Sequence, residues 1–153
     1  MNAFREIRLK VRNEKLDSFR RKCKEHGLSI TPQRLAIYEL LITSQNHPSA
    51  EDVFHRIRTA FPDISIDTVY RTLATFSEIG IINIVEGYGE AKRYDPDVHS
   101  HHHFRCLRCK QLIDFQEPAF SRLKIPGSIR KKCKVSNVKV LLEGVCDRCL
   151  SEN

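Results

Sequence analysis

Long apolar stretches are missing from this 153-residue sequence: none approaches the roughly 20 residues that a membrane-spanning helix needs. The N-terminus is charged where a secretory signal would be apolar, so we expect a cytoplasmic protein. The sequence also lacks internal repeats, low-complexity segments, a His-Glu-x-x-His pair, a nucleophile elbow and a phosphate-cradling glycine loop. These absences argue against a membrane protein and against the common hydrolase classes, and we expect no enzyme.

The sequence has an excess of positive charge: 26 Lys and Arg residues against 19 Asp and Glu residues give a net charge of +7. Residues 1–34 contain ten basic and four acidic side chains, whereas residues 35–95 contain five and nine. An excess of positive charge indicates a polyanionic partner, and we expect phosphate contacts mainly from the N-terminal segment. Residues 1–12 alone are equally compatible with a solvated basic tail.

Four segments of the N-terminal half have the apolar spacing of amphipathic helices, the first of them over residues 13–26. Their predicted caps and stops are Gly27, Thr31-Pro32, Ser49, Pro62, Ser65 and Gly80. In the fourth helix Val69, Leu73 and Phe76 lie on the buried face. Thr68, Tyr70, Arg71 and Thr75 consequently face outward.

A β-hairpin follows these helices, with strands at 81–85 and 91–95 around the turn Glu86-Gly87-Tyr88-Gly89-Glu90. Helices followed by such a hairpin predict a winged helix-turn-helix domain over residues 1–94, whose last helix enters the major groove of DNA. A Tyr-Arg pair by itself is common on surface helices. This pair lies between two helix stops and is followed by a wing, and that position favours a role in DNA binding. The candidate DNA contacts are Arg34, Thr68, Tyr70 and Arg71.

The C-terminal part, residues 95–153, begins at a break around Pro96 and contains two Cys-x-x-Cys pairs separated by 36 residues. Such spacing suits one tetrahedral Zn²⁺ bound by Cys106, Cys109, Cys146 and Cys149. Strands are expected up to residue 115 and over 135–142, with a helical piece at 119–123. Cys23 and Cys133 read as ordinary thiols. The chain as a whole is predicted to be α+β.

The residues beside the first Cys pair predict a second metal-binding group. If the Cys106–Cys109 turn closes a symmetric hairpin, positions whose numbers sum to 215 pair, and His101 lies opposite Asp114. Because side chains alternate along a strand, His103 projects on the same face as His101 and His102 on the other. Two imidazoles and a carboxylate are then expected to converge on one face.

Together these features resemble the ferric uptake regulator family, and within it the peroxide-sensing branch. The resemblance runs from about Leu16 to Cys149. It depends on the following motifs: Ile30-Thr31-Pro32-Gln33-Arg34, His47-Pro48-Ser49-Ala50-Glu51-Asp52, Thr68-Val69-Tyr70-Arg71-Thr72-Leu73, Arg93-Tyr94-Asp95, the His101 and His103 pair, and both Cys-x-x-Cys pairs.

The resemblance implies a cytoplasmic homodimer that represses genes at palindromic operators, with a winged-helix domain and a C-terminal α/β dimerisation domain. It places structural zinc on the four cysteines. It places a regulatory Fe²⁺ or Mn²⁺ on His47, Asp95, His101, His103 and Asp114. Asp114 favours peroxide sensing, since the iron-sensing branch typically has Glu there. In that branch peroxide oxidises a ligand histidine, which here would be His47 or His101.

Other functions remain open at this point. Ser100, Ser121 and Asn137 argue against the additional metal site of some iron-sensing relatives. The zinc-sensing relatives use a cysteine ligand in the regulatory site, and the absence of a cysteine near Asp95 argues against a zinc sensor. An iron-responsive repressor without peroxide sensing, a non-haem iron enzyme and a zinc-knuckle interaction module remain alternatives. The operator, the target genes and the choice between iron and manganese cannot be read from the sequence.

Overall fold

The computed structural model describes residues 2–44, 46–85 and 91–151. The chain divides into two compact units, Met1–Val98 and His99–Asn153. The first contains α1 (Asn2–Glu25), α2 (Pro32–Thr43), α3 (Ala50–Ile57), α4 (Ile66–Glu78), β1 (Asn83–Val85) and β2 (Arg93–Asp95). The second contains β3 (His102–Cys106), β4 (Leu112–Phe115), α5 (Pro118–Ser121), α6 (Gly127–Arg130), β5 (Leu141–Gly144) and α7 (Asp147–Ser151).

The segment around Asp95 belongs to the first unit, whereas the sequence predicts the division after residue 94. β2 extends to Asp95, which pairs with Asn83 of β1. The Asn83 side chain then donates to the Asp97 carbonyl oxygen at 3.0 Å. Hydrogen bonding therefore continues past the wing strand before the second unit begins.

α1 is longer than predicted, because it begins at Asn2 rather than at residue 13. Residues 2–12 contain neither glycine nor proline, so nothing in the sequence interrupts helical hydrogen bonding there. Arg12 also forms a 2.7 Å ion pair with Glu39 of α2. The helix ends as predicted at Gly27. This residue has a φ of +64°, which glycine adopts easily because it has no Cβ atom.

The other helix starts agree with the predicted caps. The side chains of Thr31, Ser49 and Ser65 each accept a hydrogen bond from a backbone N–H in the first turn. Ser49 belongs to a full capping box, in which Asp52 accepts the Ser49 N–H at 2.9 Å. α3 and α4 therefore begin at positions set by their own side chains.

The core of the first unit joins all four helices around three aromatic rings. Phe19 of α1 stacks on Tyr38 of α2 with ring centroids 4.4 Å apart. Phe76 of α4 packs edge-on against both rings. β1 and β2 are antiparallel beside this core, with Ile84 opposite Tyr94. The predicted turn at residues 86–90 lies outside the described residues.

The second unit contains a three-stranded sheet in the order β4-β3-β5, in which β3 is antiparallel to β4 and parallel to β5. The predicted strand at 135–142 was wrong, because β5 begins only at Leu141. The physical reason is the length of its neighbour: β3 starts at His102, and its pairing with β5 starts at His103 and Leu141. Val140 still accepts the His103 N–H, and the residues before Val140 extend past the start of β3. None of the helices among the described residues combines the length and apolar character needed to cross a bilayer.

Candidate metal centres and nucleic-acid interface

The four paired cysteines come together at the end of the β3–β5 pair. Cys106 ends β3, Cys109 follows in the turn, Cys146 comes after β5, and Cys149 lies in α7. Their sulfur atoms all lie within 4.8 Å of one another. Cys109 Sγ and Cys146 Sγ are 3.7 Å apart, close to the ~3.8 Å edge of a tetrahedron with Zn–S bonds of ~2.3 Å. The residues therefore fit a structural zinc ion.

The surroundings of these thiols shift the pKa values of Cys106 and Cys149 in opposite directions. Backbone N–H groups of Cys146 and Cys109 lower the pKa of the Cys106 thiol to about 6, and the Cys146 N–H lies 3.3 Å from Cys106 Sγ. Burial raises the pKa of Cys149 to about 12. Backbone N–H groups from both pairs therefore favour the thiolate of Cys106, whereas the Cys149 thiol needs a nearby cation to lose its proton.

The hairpin beside this centre does not have the predicted register. Asp114 lies opposite His103, not opposite His101. The predicted symmetric turn was too short: the Lys110 N–H donates to the Cys106 carbonyl oxygen, and Lys110 adopts a left-handed φ of 63°. The pairing is consequently displaced by two residues. A displacement of two preserves the face on which each side chain projects, so the predicted convergence survives.

Three donor groups meet on that face. His101 Nε2 and His103 Nε2 are 3.0 Å apart, and Asp114 Oδ1 lies 3.4 Å from His103 Nε2 and 3.9 Å from His101 Nε2. His101 Nδ1 lies 2.8 Å from the His99 carbonyl oxygen, which can only accept. Nδ1 therefore carries a proton, and the Nε2 atom faces the cluster. This orientation is typical of a metal-binding imidazole.

His102 points to the other side of β3, as predicted. Its ring contacts Phe115 and Phe120, with centroids 5.6 Å away in each case. Its Nδ1 accepts the Val140 N–H at 3.3 Å. His102 thus serves the packing of the second unit and lies outside the donor cluster.

The first unit brings its two predicted ligands together. His47 precedes α3 and Asp95 ends β2, yet His47 Nε2 and Asp95 Oδ1 are 3.6 Å apart and both side chains are buried. The Tyr94 N–H donates to the Pro48 carbonyl oxygen at 3.0 Å. Arg93 Nη1 adds a 3.3 Å bond to the His47 carbonyl oxygen. Backbone and side-chain bonds therefore hold β2 beside the segment that carries His47.

The exposed face of α4 carries the predicted DNA contacts. Tyr70 and Arg71 are exposed, and each is held by a carboxylate: the Tyr70 hydroxyl donates to Glu51 of α3, and Arg71 Nε lies 2.9 Å from Asp67 Oδ2. The bond to Tyr70 is the main cause of the lowered pKa of Glu51. Thr68 is half-buried and bonded to the cap residue Ser65 at 2.9 Å. Tyr70 and Arg71 are thus the two most accessible of the three.

Arg34 lies apart from α4. Its guanidinium donates to the Ser29 carbonyl oxygen at 2.7 Å, and its backbone N–H donates to the Thr31 side chain. In the described chain Arg34 therefore fixes the turn between α1 and α2. Its predicted DNA contact stays a prediction.

Comparison with known proteins identifies the family. The model of the Ferric uptake regulator family matches residues 25–143. This chain belongs to the ferric uptake regulator family. The peroxide-responsive repressor PerR of Staphylococcus aureus is 32% identical over 126 residues, covering 82% of this chain and 85% of that protein.

Two solved structures extend the similarity to the fold. The Helicobacter pylori ferric uptake regulator Fur, described as having three functional metal binding sites, has a TM-score of 0.74 and 26% identity over 91% of this chain and 93% of its own. The Campylobacter jejuni peroxide stress regulator has a TM-score of 0.65 and 27% identity, with coverage of 82% and 95%. Ferric uptake regulators are metal-responsive transcription factors, with an N-terminal winged helix-turn-helix domain and a dimerisation domain.

Sequence reasoning missed the residues that position the candidate ligands and DNA contacts. Arg93 and Asp52 lie 3.5 Å apart and join β2 to the start of α3, and Glu51 holds Tyr70. The capping box was visible as Ser49 followed three residues later by Asp52. The Glu51–Tyr70 bond joins residues 19 positions apart on different helices, and no local pattern signals it.

Proposed function

We propose that this chain is a cytoplasmic, metal-dependent repressor that binds operator DNA as a homodimer and is released when peroxide oxidises a ligand histidine. Zinc would stay on the four cysteines. A regulatory Fe²⁺ or Mn²⁺ would be held by His47, Asp95, His101, His103 and Asp114. The observation that carries this proposal is that each unit already brings together its own imidazole and carboxylate donors, His47 with Asp95 and His101 with His103 and Asp114.

The donor set supports Fe²⁺ or Mn²⁺ as the regulatory ion. Three imidazoles and two carboxylates suit a borderline-hard divalent cation better than a soft one. Fe²⁺ bound there would lend the electrons that split the O–O bond of peroxide, which Mn²⁺ does not readily do, and would recover them from the imidazole carbon that is oxidised. One oxygen atom would enter a C–H bond of the His47 or His101 imidazole, and water would leave. A ligand changed in this way would bind the ion less well.

The position of His47 and Asp95 supports a connection between ion binding and DNA binding. Both lie on segments that adjoin α3 and the wing strand β2, which are bonded to each other through Tyr94 and Pro48. An ion that binds one arrangement of these segments better than another shifts the population toward that arrangement. By linkage, DNA and the regulatory ion should each strengthen the binding of the other.

Exposed apolar residues of the second unit support the dimer. Leu141 and Leu142 of β5 are each 42% exposed, and Leu150 of α7 is 61% exposed. β5 is an edge strand of its sheet, and an edge with exposed leucines favours pairing with another chain. A second copy of the same unit is the occupant that we propose.

The DNA-binding part of the proposal can be tested without knowing the operator. A random pool of duplexes would be selected with the zinc-loaded protein in Mn²⁺, and affinity for the enriched duplex measured with and without Mn²⁺. We expect Mn²⁺ to be required for tight binding. In His47→Ala and Asp114→Ala, Mn²⁺ should no longer increase the affinity, and most of the affinity for the duplex should be lost. His55→Ala, at an exposed residue of α3, should bind the duplex as the native protein does. Failure to enrich any duplex would contradict the repressor proposal.

The peroxide-sensing part needs a separate experiment. Fe²⁺-loaded and Mn²⁺-loaded protein would be treated with peroxide, and the peptides containing His47 and His101 examined by mass spectrometry for one added oxygen atom. We expect the gain, and loss of DNA binding, only with Fe²⁺. An Asp114→Glu variant that remained fully responsive to peroxide would contradict the role given to Asp114.

An iron-responsive repressor without peroxide sensing is the second candidate. It is supported by the similarity to H. pylori Fur, which extends over 91% of this chain. It predicts Fe²⁺-dependent DNA binding that survives peroxide, with no oxygen gained on either histidine. The same mass spectra therefore decide between the two candidates.

A further inference from the structure

An acidic side chain sits on the face that the proposed function assigns to DNA. Glu51 is exposed in the first turn of α3, and its carboxylate accepts the hydroxyl hydrogen of Tyr70 from α4. Tyr70 is itself 43% exposed. A negative charge beside the proposed DNA contacts is unfavourable for phosphate binding, so its presence needs a different explanation from simple attachment to DNA.

The surroundings of Glu51 keep it ionised. The Tyr70 hydroxyl, followed by the N–H of Glu51 itself, lowers the pKa of its carboxyl group. The N-terminal end of α3 adds a favourable helix dipole. Glu51 consequently presents a charged acceptor next to the Tyr70 ring, and the hydrogen bond restricts the orientation of that ring.

A carboxylate in the major groove discriminates between base edges. It accepts a hydrogen bond from the N4 amino group of cytosine and is repelled by the O6 and N7 acceptors of guanine and the O4 acceptor of thymine. We propose that Glu51 determines DNA specificity: it positions Tyr70, weakens sequence-independent attachment to phosphates and accepts a hydrogen bond from an operator cytosine. This inference rests on the proposed function and adds the chemistry by which the operator is chosen.

Five variants separate the charge of Glu51 from its positioning of Tyr70. Glu51→Gln removes the charge at nearly constant size, Tyr70→Phe removes only the hydroxyl, and Glu51→Ala is combined with Tyr70→Phe in a double-mutant cycle. Glu78→Gln, at the C-terminal end of α4, removes one exposed charge elsewhere on the same helix. All would be prepared as full-length, zinc-loaded protein in Mn²⁺, with binding measured to the selected duplex and to random duplex over a range of salt concentrations.

We expect Glu51→Gln to bind random duplex several-fold more tightly and to lose roughly tenfold in the ratio of selected to random affinity. Replacing the contacted cytosine by thymine should cost the native protein more than this variant. Tyr70→Phe should weaken only selected-duplex binding, and the double variant should lose less than the sum of the single losses. Glu78→Gln should leave the affinity ratio unchanged.

The inference would be overturned if Glu51→Gln kept the native ratio, or if Glu78→Gln changed it equally. Should Glu51→Ala lower the melting temperature, Tyr70→Phe and Glu51→Gln still decide, since both leave the backbone and cap of α3 intact. Failure of the native protein to select any duplex would overturn the repressor proposal and this inference with it. Native binding with an unchanged Glu51→Gln ratio would overturn this inference alone.

Discussion

In the first unit Phe19, Leu73 and Phe76 are at most 1% exposed and belong to one apolar core shared by four helices. In the second unit the buried cluster consists of Cys106, Cys146 and Cys149, with Phe104 and Val145 packed beside it. Hydrophobic burial can therefore stabilise the first unit by itself. The second unit is small, and small units usually need a metal ion, disulfides or a partner chain to fold.

Removing the zinc site should have the largest effect and should affect one unit. Structural zinc contributes roughly 10–16 kcal/mol of apparent binding free energy that is also folding free energy. We therefore expect Cys146→Ser to unfold the second unit and to leave α1–α4 folded. Hydrogen exchange read by mass spectrometry on peptides from each unit would measure this. Cys133→Ser, at an exposed cysteine, is the matched control, and equal loss of protection in both units would refute the contrast.

A core substitution in the first unit tests the converse. Phe76→Ala removes a ring that contacts both Phe19 and Tyr38, and it should cost about 3–5 kcal/mol of unfolding free energy. Urea unfolding followed by far-ultraviolet circular dichroism would report the loss. Phe54→Ala, at a half-buried ring, should cost less. Release of zinc from the Phe76 variant in the absence of urea would mean that the two units do not fold separately.

The stability of the first unit should also fall at high pH. Burial raises the pKa of Tyr38 from about 10 to about 12, and its hydroxyl donates to the Lys15 carbonyl oxygen. A raised folded-state pKa stabilises below the unfolded value, so this contribution is complete below pH ~10 and is lost as pH rises through ~12, by up to about 3 kcal/mol. Tyr38→Phe should reduce the slope of the unfolding free energy against pH between those two values. Tyr70→Phe should flatten the slope less, because the bond to Glu51 that raises the Tyr70 pKa lies at an exposed ring, where solvent screens it.

The smallest expected effect concerns the cap of α3. Ser49→Ala removes the acceptor of the Asp52 N–H and should cost about 1 kcal/mol. The loss should appear in the thermal midpoint of the first unit, with Ser136→Ala in an exposed segment as the control. An unchanged midpoint would show that the bond between β2 and the Pro48 segment positions α3 without its cap.

Local chemistry predicted much of the first unit, because caps and stops at Thr31, Ser49, Ser65 and Gly80 act within a few residues of themselves. The extent of α1 was underestimated, since a basic sequence without glycine or proline is compatible with both a helix and a solvated tail. Ile37 is also fully buried, although the apolar spacing of the second helix predicted Leu35, Tyr38, Leu41 and Ile42 as its buried face. Tertiary packing decides its burial, and the helical spacing alone did not single it out.

In the second unit the donor residues were easier to predict than their pairing. The alternation of side chains placed His101, His103 and Asp114 on one face, and a displacement by two residues left that conclusion intact. The left-handed conformation of Lys110 could not be anticipated, because lysine rarely adopts it. The start of β5 likewise depends on where β3 begins, which no feature of residues 135–140 reveals.

Two hydrogen bonds join β2 to the segment before α3. The Tyr94 N–H donates to the Pro48 carbonyl oxygen, and Arg93 donates to the His47 carbonyl oxygen. A displacement of His47 would therefore move β2 and the start of α3 together, without any rearrangement of the aromatic core. In the proposed mechanism, oxidation of the His47 imidazole would therefore disturb β2 and the start of α3 directly, while the rings of Phe19, Tyr38 and Phe76 stay packed.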